Sequence, residues 1–415
     1  MPRPLPLRCS PVVLIVALAL QIGCPGPEPE GEDEECPVGA AGCACTSGGA
    51  CDGQLICVDQ LCAAPGGCGD GIVDPGEDCD GSDPTNASCD GGCDMVCDPG
   101  FRDCNDDADD GCEIAGLCPA ELLIPGAGFW PLGLVARDGV LYWVDYDPDR
   151  GALRRVGVEG GDVTTILGGQ LLPFSLAVDD NEVFWVNNHS DGAVLKIPRA
   201  GGEPTTLRES YLAWDIAVDD DHVFWITGNQ GGVVSRTLKS GASHDFMTER
   251  VLPQPRAIAL YGDDVYWVNR GMGDSDGSVM SMPKDASAEP TTLVDLQPFC
   301  LDIAVSADGV FWLNRGLYDP TDGFDDGQIK RAALDGSSPQ LLAGGQGDPE
   351  ALTLGGQHVY WANGGSGELR RVGVDGGEVE TMAEGYSNPC SLTYEDGVLY
   401  WTDCGDGNIY RLRVD

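Results

Sequence analysis

Along residues 119–415 the hydrophobic positions recur in one phrase: an aliphatic residue, an aromatic, a tryptophan and then a polar turn. It reads Leu141-Tyr142-Trp143, Val183-Phe184-Trp185, Val223-Phe224-Trp225, Val265-Tyr266-Trp267, Val310-Phe311-Trp312, Val359-Tyr360-Trp361 and Leu399-Tyr400-Trp401. Successive tryptophans lie 42, 40, 42, 45, 49 and 40 residues apart. A period near 40 built from several short strands marks a β-propeller. In the second repeat, 175–178, 182–186, 193–197 and 205–207 alternate apolar and polar positions as half-buried strands do. Val183 and Trp185 then share one face while Phe184 takes the other, so both faces of each blade are packed and the tryptophans are wedges between blades.

The seventh repeat ends after three strands, and residues 121–124 (Glu-Leu-Leu-Ile) match the outer strand of other repeats. They are predicted to complete the last blade and close the ring, which removes sheet edges. The expected fold is all-β: a seven-bladed propeller of four-stranded antiparallel blades, preceded by a small disulfide-rich segment. Acidic turns separate the first two strands of most repeats, among them Asp138-Gly139, Asp179-Asp180-Asn181, Asp219-Asp220-Asp221 and Asp396-Gly397. They are read as tight hairpins with positive φ rather than as metal sites.

Upstream the pattern breaks down. Residues 36–118 hold 14 of the 19 cysteines and no run long enough for a core, which implies a disulfide framework. Residues 25–35 are proline-rich and acidic, a stretched tether of roughly 34 Å at full PPII extension. Before it, Arg3 and Arg8 precede an apolar run over 12–22 that is too short to span a bilayer. The expected organisation is an export signal over 1–23, a tether over 24–35, a cysteine-rich stalk over 36–118 and the propeller over 119–415.

The formal charge of −45 disfavours nucleic acid and anionic lipid as partners. Asn105, Asp107 and Asp109 alternate like calcium ligands, but Asp110 and Gly116 stand where an EF-hand loop needs glycine and glutamate. A looser calcium site stays open as an alternative there; no other cofactor motif occurs.

Three resemblances follow from these residues. Leu20-Gln21-Ile22-Gly23-Cys24 resembles a bacterial lipoprotein signal, although Gln21 stands where leucine is usual. This implies acylation of Cys24 and anchoring to the envelope of a Gram-negative bacterium, at the outer membrane or cell surface. An ordinary secretory signal is the alternative. The run Cys68-Gly69-Asp70-Gly71 with Glu77-Asp78-Cys79-Asp80 resembles the cysteine-rich repeat of myxobacterial surface proteins, which implies a spacer without chemistry. Finally, Tyr142-Trp143-Val144-Asp145 and Tyr400-Trp401-Thr402-Asp403 resemble YWTD propellers, which have six blades; TolB-like and NHL-like propellers are similar relatives.

Site candidates come from the loops that enter each blade. Phe129, Trp130, Phe174, Tyr211, Trp214, Arg256, Phe299 and Glu350 are placed around one mouth, a composition suited to recognition of a protein or glycan. Plugging of the axial channel is the alternative. Asp145, Asn187, Thr227, Asn269, Asn314, Asn363 and Asp403 each lie two residues after a tryptophan, where they cap the next turn or face the channel. Asn314 with Glu350, Asp215 and Asp302 is the candidate metal set, as in propeller lactonases, and would support a hydrolase or lyase. The four histidines carry no partner pattern, and no catalytic-serine elbow or phosphate loop occurs. A purely structural surface component is the third reading. Cys390 and Cys404 fall opposite each other across a hairpin and are predicted to be bonded; Cys300 is left free or bonded to the stalk.

Overall fold

The structure is a computed structural model. It describes residues 118–414, apart from 229, 249–251 and 319–322, together with short stretches between 43 and 115. The chain divides between Gly116 and Leu117. In the first unit the described strands are short: Cys43–Ala44, Ile56–Val58 and Leu61–Ala63 form one sheet, and Ala87–Cys89 pairs with Met95–Cys97. Cys97 and Cys112 form a disulfide. Cys24, the tether and the candidate calcium ligands Asn105, Asp107 and Asp109 lie outside the described residues.

The second unit is a seven-bladed propeller of four-stranded antiparallel blades, and no helix occurs among the described residues. Blades 1 to 6 occupy 131–170, 173–209, 213–246, 255–297, 300–346 and 349–383. Blade 7 combines Pro389–Glu395, Val398–Asp403 and Asn408–Arg413 with Glu121–Ile124 from the other end of the propeller sequence. Ile409 pairs Ile124 and Arg411 pairs Glu121, so the ring is closed by backbone hydrogen bonds between its first and last strands.

The repeated tryptophans are buried wedges, each 0–2% exposed. Val183 and Trp185 of blade 2 pack on Tyr142 and Val144 of blade 1. Val265 and Trp267 pack on Phe224 and Ile226, and Val310 and Trp312 on Tyr266 and Val268. Period-two alternation thus sends the aromatic forward to the next blade and the tryptophan back to the previous one. Several indole N–H groups also donate to a side chain fifteen residues upstream. Trp185 reaches Gln170 at 3.0 Å, Trp225 reaches Ser210 at 3.0 Å, Trp312 reaches Gln297 at 3.3 Å and Trp361 reaches Gln346 at 2.9 Å.

A second set of ties crosses the blade seams farther out. The third-strand residue paired with the repeat aromatic is Arg155, Arg236, Arg331, Arg371 or Arg411 in five blades. Each donates to a backbone carbonyl at the end of the third strand in the next blade: Arg199, Lys284, Val374, Val414 and, around the ring, Val158. These arginines are absent from blades 2 and 4, which carry Lys196 and Ser281.

The hairpin turns divide into two kinds. Asp138-Gly139 and Asp396-Gly397 have positive φ at both residues (52° and 72°, 47° and 80°), as the mirror-image turn requires. The turns at 179–181 and 219–221 depart from that expectation. There Asp179 Oδ1 accepts the amides of Asn181 and Glu182, and Asp219 Oδ1 those of Asp221 and His222, so the carboxylate closes the turn without left-handed backbone.

Candidate functional site at the axial mouth

Each inner strand begins with a residue that pairs the end of the second strand, and in blades 2 to 7 the register then slips by one. Pro173, Ala213, Pro255, Cys300, Pro349 and Pro389 pair their partners; the following residue is the extra one. Those extra residues are Phe174, Trp214, Arg256, Leu301, Glu350 and Cys390. A bulge re-aims a side chain, here in a ring around the axis.

These residues line a cavity of about 410 Å³ to which all seven inner strands contribute. One wall is an aromatic arc. Trp130 meets Tyr146 edge-on with centroids 6.2 Å apart, Tyr146 meets Phe174 at 5.8 Å, and Phe174 meets Trp214 at 4.9 Å. The arc ends at Arg256, whose guanidinium lies 4.1 Å from the Trp214 ring centroid and 5.1 Å from that of Phe174. Its buried Nη1 has no hydrogen-bond partner among the described residues. Gly228 makes this packing feasible: a Cβ there would lie 1.7 Å from the Trp214 ring.

The opposite wall is acidic. Burial pulls Arg256 down to about 10, opposed by Glu350 and Asp215. Burial also pushes Asp215 and Glu350 up and raises Asp302 to about 7. Glu350 lies 3.1 Å from Arg315, which is held by Asp348. The two aspartates tie neighbouring inner strands together. Asp215 accepts from Ser175 Oγ of blade 2 at 2.6 Å and from the Ile258 amide of blade 4 at 2.9 Å. Asp302 accepts the Leu352 amide of blade 6 at 2.8 Å. Ser391 does the same for the Leu134 amide across the ring closure. Inner-strand edges face the channel, and these side chains satisfy their backbone donors.

Of the residues expected at the mouth, Trp130, Phe174, Trp214, Arg256 and Glu350 line the cavity, joined by Asp215 and Asp302. Phe129 and Tyr211 stand 67% and 58% exposed beyond its wall, and Phe299 lies beneath Arg270. Asn314 is not brought to the acids. It is fully buried, donates to Gln297 at 3.1 Å and accepts from Cys300 Sγ at 3.1 Å. Among the described residues no group of three His, Cys, Asp or Glu side chains is placed to hold a metal ion. Most of the other polar residues after the tryptophans are likewise used locally, whereas Asn187 Oδ1 is buried without a partner among the described residues. Asp145 accepts the Phe129 amide, Asp403 accepts the amides of Ser387, Asn388, Gly405 and Asp406, and Asn363 donates to Gln346. Cys390 and Cys404 are disulfide-bonded at the rim, and Cys300 is a buried free thiol whose pKa burial drives up. Sequence reasoning missed Tyr146, which links Trp130 to Phe174 from a loop without a repeat signature, and Arg315.

No family model and no curated protein matches the sequence. Solved structures with the same fold include virginiamycin B lyase from Staphylococcus aureus, at 14% identity, covering 72% of this chain and 99% of that one with a TM-score of 0.58. Hydrazine synthase of Kuenenia stuttgartiensis aligns at 12% identity over 70% of this chain and 96% of that one, TM-score 0.57. The designed protein Ika8 aligns at 16% identity over 68% and 83%, TM-score 0.50. At these identities the likeness is one of fold.

Proposed function

We propose that the propeller is a recognition module that takes a protein or glycan at its axial mouth. The observation that carries this reading is the aromatic arc ending in Arg256, whose Nη1 is buried and has no partner among the described residues. A sugar ring or peptide segment stacks on such an arc, and an oxygen of the ligand accepts from the waiting guanidinium. The rest of the chain fits display: Cys24 acylated in the envelope of a Gram-negative bacterium, residues 25–35 as tether, and 36–118 as a stalk facing the cell exterior.

The test is a survey of glycan and protein arrays with the labelled chain and its Trp214→Ala and Arg256→Ala variants. A ligand of the mouth should lose about 30-fold or more in affinity in each variant, the scale of an interface hot spot. Equal retention by the wild type and both variants would defeat the proposal. The anchor is tested separately: metabolic labelling with a fatty acid should mark the wild type and fail in Cys24→Ser.

A second reading rests on Asp302. A carboxyl raised to about 7 by burial, in the cavity that Arg256 also lines, is poised for proton transfer near neutral pH. The likeness to virginiamycin B lyase supports it, since a protein of this fold is a lyase. Screening cyclic esters for opening, with a pH–rate inflection near 7 that vanishes in Asp302→Asn, tests it. Absence of turnover across the screen removes it.

A further inference from the structure

Two of the seam arginines show what their acceptor site consists of. Arg331 donates to the Val374 carbonyl and pairs with the carboxylate of the next residue, Asp375. Arg411 donates to the Val158 carbonyl and to Glu159, again carbonyl and following acid. Arg331 also lies over the Phe311 ring at 5.7 Å. The elements are an aromatic ring, a carbonyl and an acid.

The seam between blades 4 and 5 keeps the acceptors and lacks the donor. Leu334 and Asp335 occupy the positions of Val374 and Asp375, and Tyr266 that of Phe311, but the residue paired with Tyr266 is Ser281. In place of the missing side chain is a cavity of about 630 Å³ lined by Tyr266, Ser281, Leu334 and Asp335. Asp263, Asp264 and Glu289 add three more carboxylates and no basic side chain lines it. Unlike Phe311, the Tyr266 ring has no cation over it among the described residues. The seam between blades 2 and 3 also lacks an arginine, but it is filled from the other side. There Lys239 covers Phe184 at 5.4 Å and pairs with Asp179 at 2.6 Å, while Lys196 is held by Glu182 at 2.9 Å.

We propose that the notch between blades 4 and 5 docks an arginine side chain of a partner polypeptide. The chain itself supplies the precedent, since equivalent acceptors bind a guanidinium at the neighbouring seams. In both precedents one nitrogen, Nη1, meets the carbonyl and the acid. Arginine is selected over lysine because its planar, weakly hydrated guanidinium can make these bonds while lying over an aromatic ring, as Arg331 does over Phe311. The carboxylate-rich lining attracts the cation and excludes acidic segments. The notch is built from the ends of strands opposite to those at the axial mouth, so the proposal stands independently of the ligand bound there.

The test is a titration of the full chain with a fluorescent acetyl-Gly-Arg-Gly amide peptide, beside peptides carrying citrulline or lysine instead. Saturable binding of the arginine peptide is expected, about tenfold or more tighter than either control, since citrulline has the shape without the charge. Asp335→Asn should weaken it by about tenfold. Ser281→Arg should abolish it by filling the notch from within, and should raise the melting temperature. Arg256→Ala at the axial mouth should leave it unchanged. Should Ser281→Arg fail to fold, Asp335→Asn alone decides. No binding at millimolar peptide, citrulline binding as tightly as arginine, or indifference to Asp335→Asn would each overturn the proposal.

Discussion

Two positions occur once in every blade and behave in opposite ways. The tryptophan of the second strand is the same residue seven times, buried, with its aliphatic neighbour on the previous blade. The second residue of the inner strand differs from blade to blade: Leu132, Phe174, Trp214, Arg256, Leu301, Glu350 and Cys390. The first position meets the same neighbour at every seam, so one solution to the packing problem serves throughout. The second faces a shared cavity where seven side chains of six kinds make one asymmetric surface. Uniform positions hold this ring together, and the positions where the blades disagree form its mouth. The notch between blades 4 and 5 follows the same logic, because Ser281 departs from a rule that five blades obey.

The strongest break of the comparison is at the uniform position. Trp312→Ala removes a fully buried indole and its hydrogen bond to Gln297. It should cost about 3–5 kcal/mol in denaturant unfolding, as for other core aromatics. A cost under about 1 kcal/mol would mean that the seams are not the source of stability. Next comes the rim disulfide. Replacing Cys390 and Cys404 together by serine opens a link with a sequence separation of 14, with an expected loss of about 3 kcal/mol on loop-entropy grounds. The seam arginines are expected to rank third. Arg411→Ala leaves the Val158 carbonyl without its donor at the ring closure, and about 1–2 kcal/mol is expected because the pairing acids are largely exposed. Thermal melts of the Arg411→Ala and Arg331→Ala variants check whether the closure is weaker than an internal seam.

The uniform half of the molecule was legible in the sequence for a physical reason. A residue that must be buried on both sides of every blade repeats with the blade, so strand faces, blade number, the closing strand 121–124 and the Cys390–Cys404 hairpin all follow from spacing. The divergent half carries no such signal. Trp130, Phe174, Trp214, Arg256 and Glu350 could be placed at one end by counting strands, but the bulge that turns several of them inward is a one-residue register slip that alternation does not reveal. Tyr146 lies in a loop of unique length. Asp215 and Asp302 read as metal ligands because their amide partners, Ile258 and Leu352, are 43 and 50 residues away on the next blade. Even the regular fifteen-residue step from Gln170, Gln297 and Gln346 to the tryptophan becomes meaningful only once the outer strand is known to return beside the next blade.

The smallest expected effect concerns Asp302, where the two halves meet: it lines the mouth and also ties blade 5 to blade 6. Its folded pKa is raised from 3.8 to about 7, chiefly by burial, with the Leu352 amide opposing. A carboxyl raised on folding favours the native state in its protonated form. That contribution is complete below about pH 4 and is lost as the pH rises through 7. The amide of the Asp302→Asn variant does not titrate, so exchanging it for the carboxyl leaves that protein without this pH dependence. The stability lead of the wild type over Asp302→Asn should therefore shrink between pH 6 and pH 8. The loss should be about 1 kcal/mol, since about one pH unit of that interval lies below the folded pKa and each unit is worth about 1.4 kcal/mol. Parallel urea titrations of the two proteins at both pH values measure it. A lead that stays constant would mean that Asp302 remains ionised in the fold, and that its two amide donors, Ile303 and Leu352, outweigh burial. The mouth would then hold a permanent anion beside Arg256, which would favour cationic ligands over the neutral sugar or peptide proposed for it.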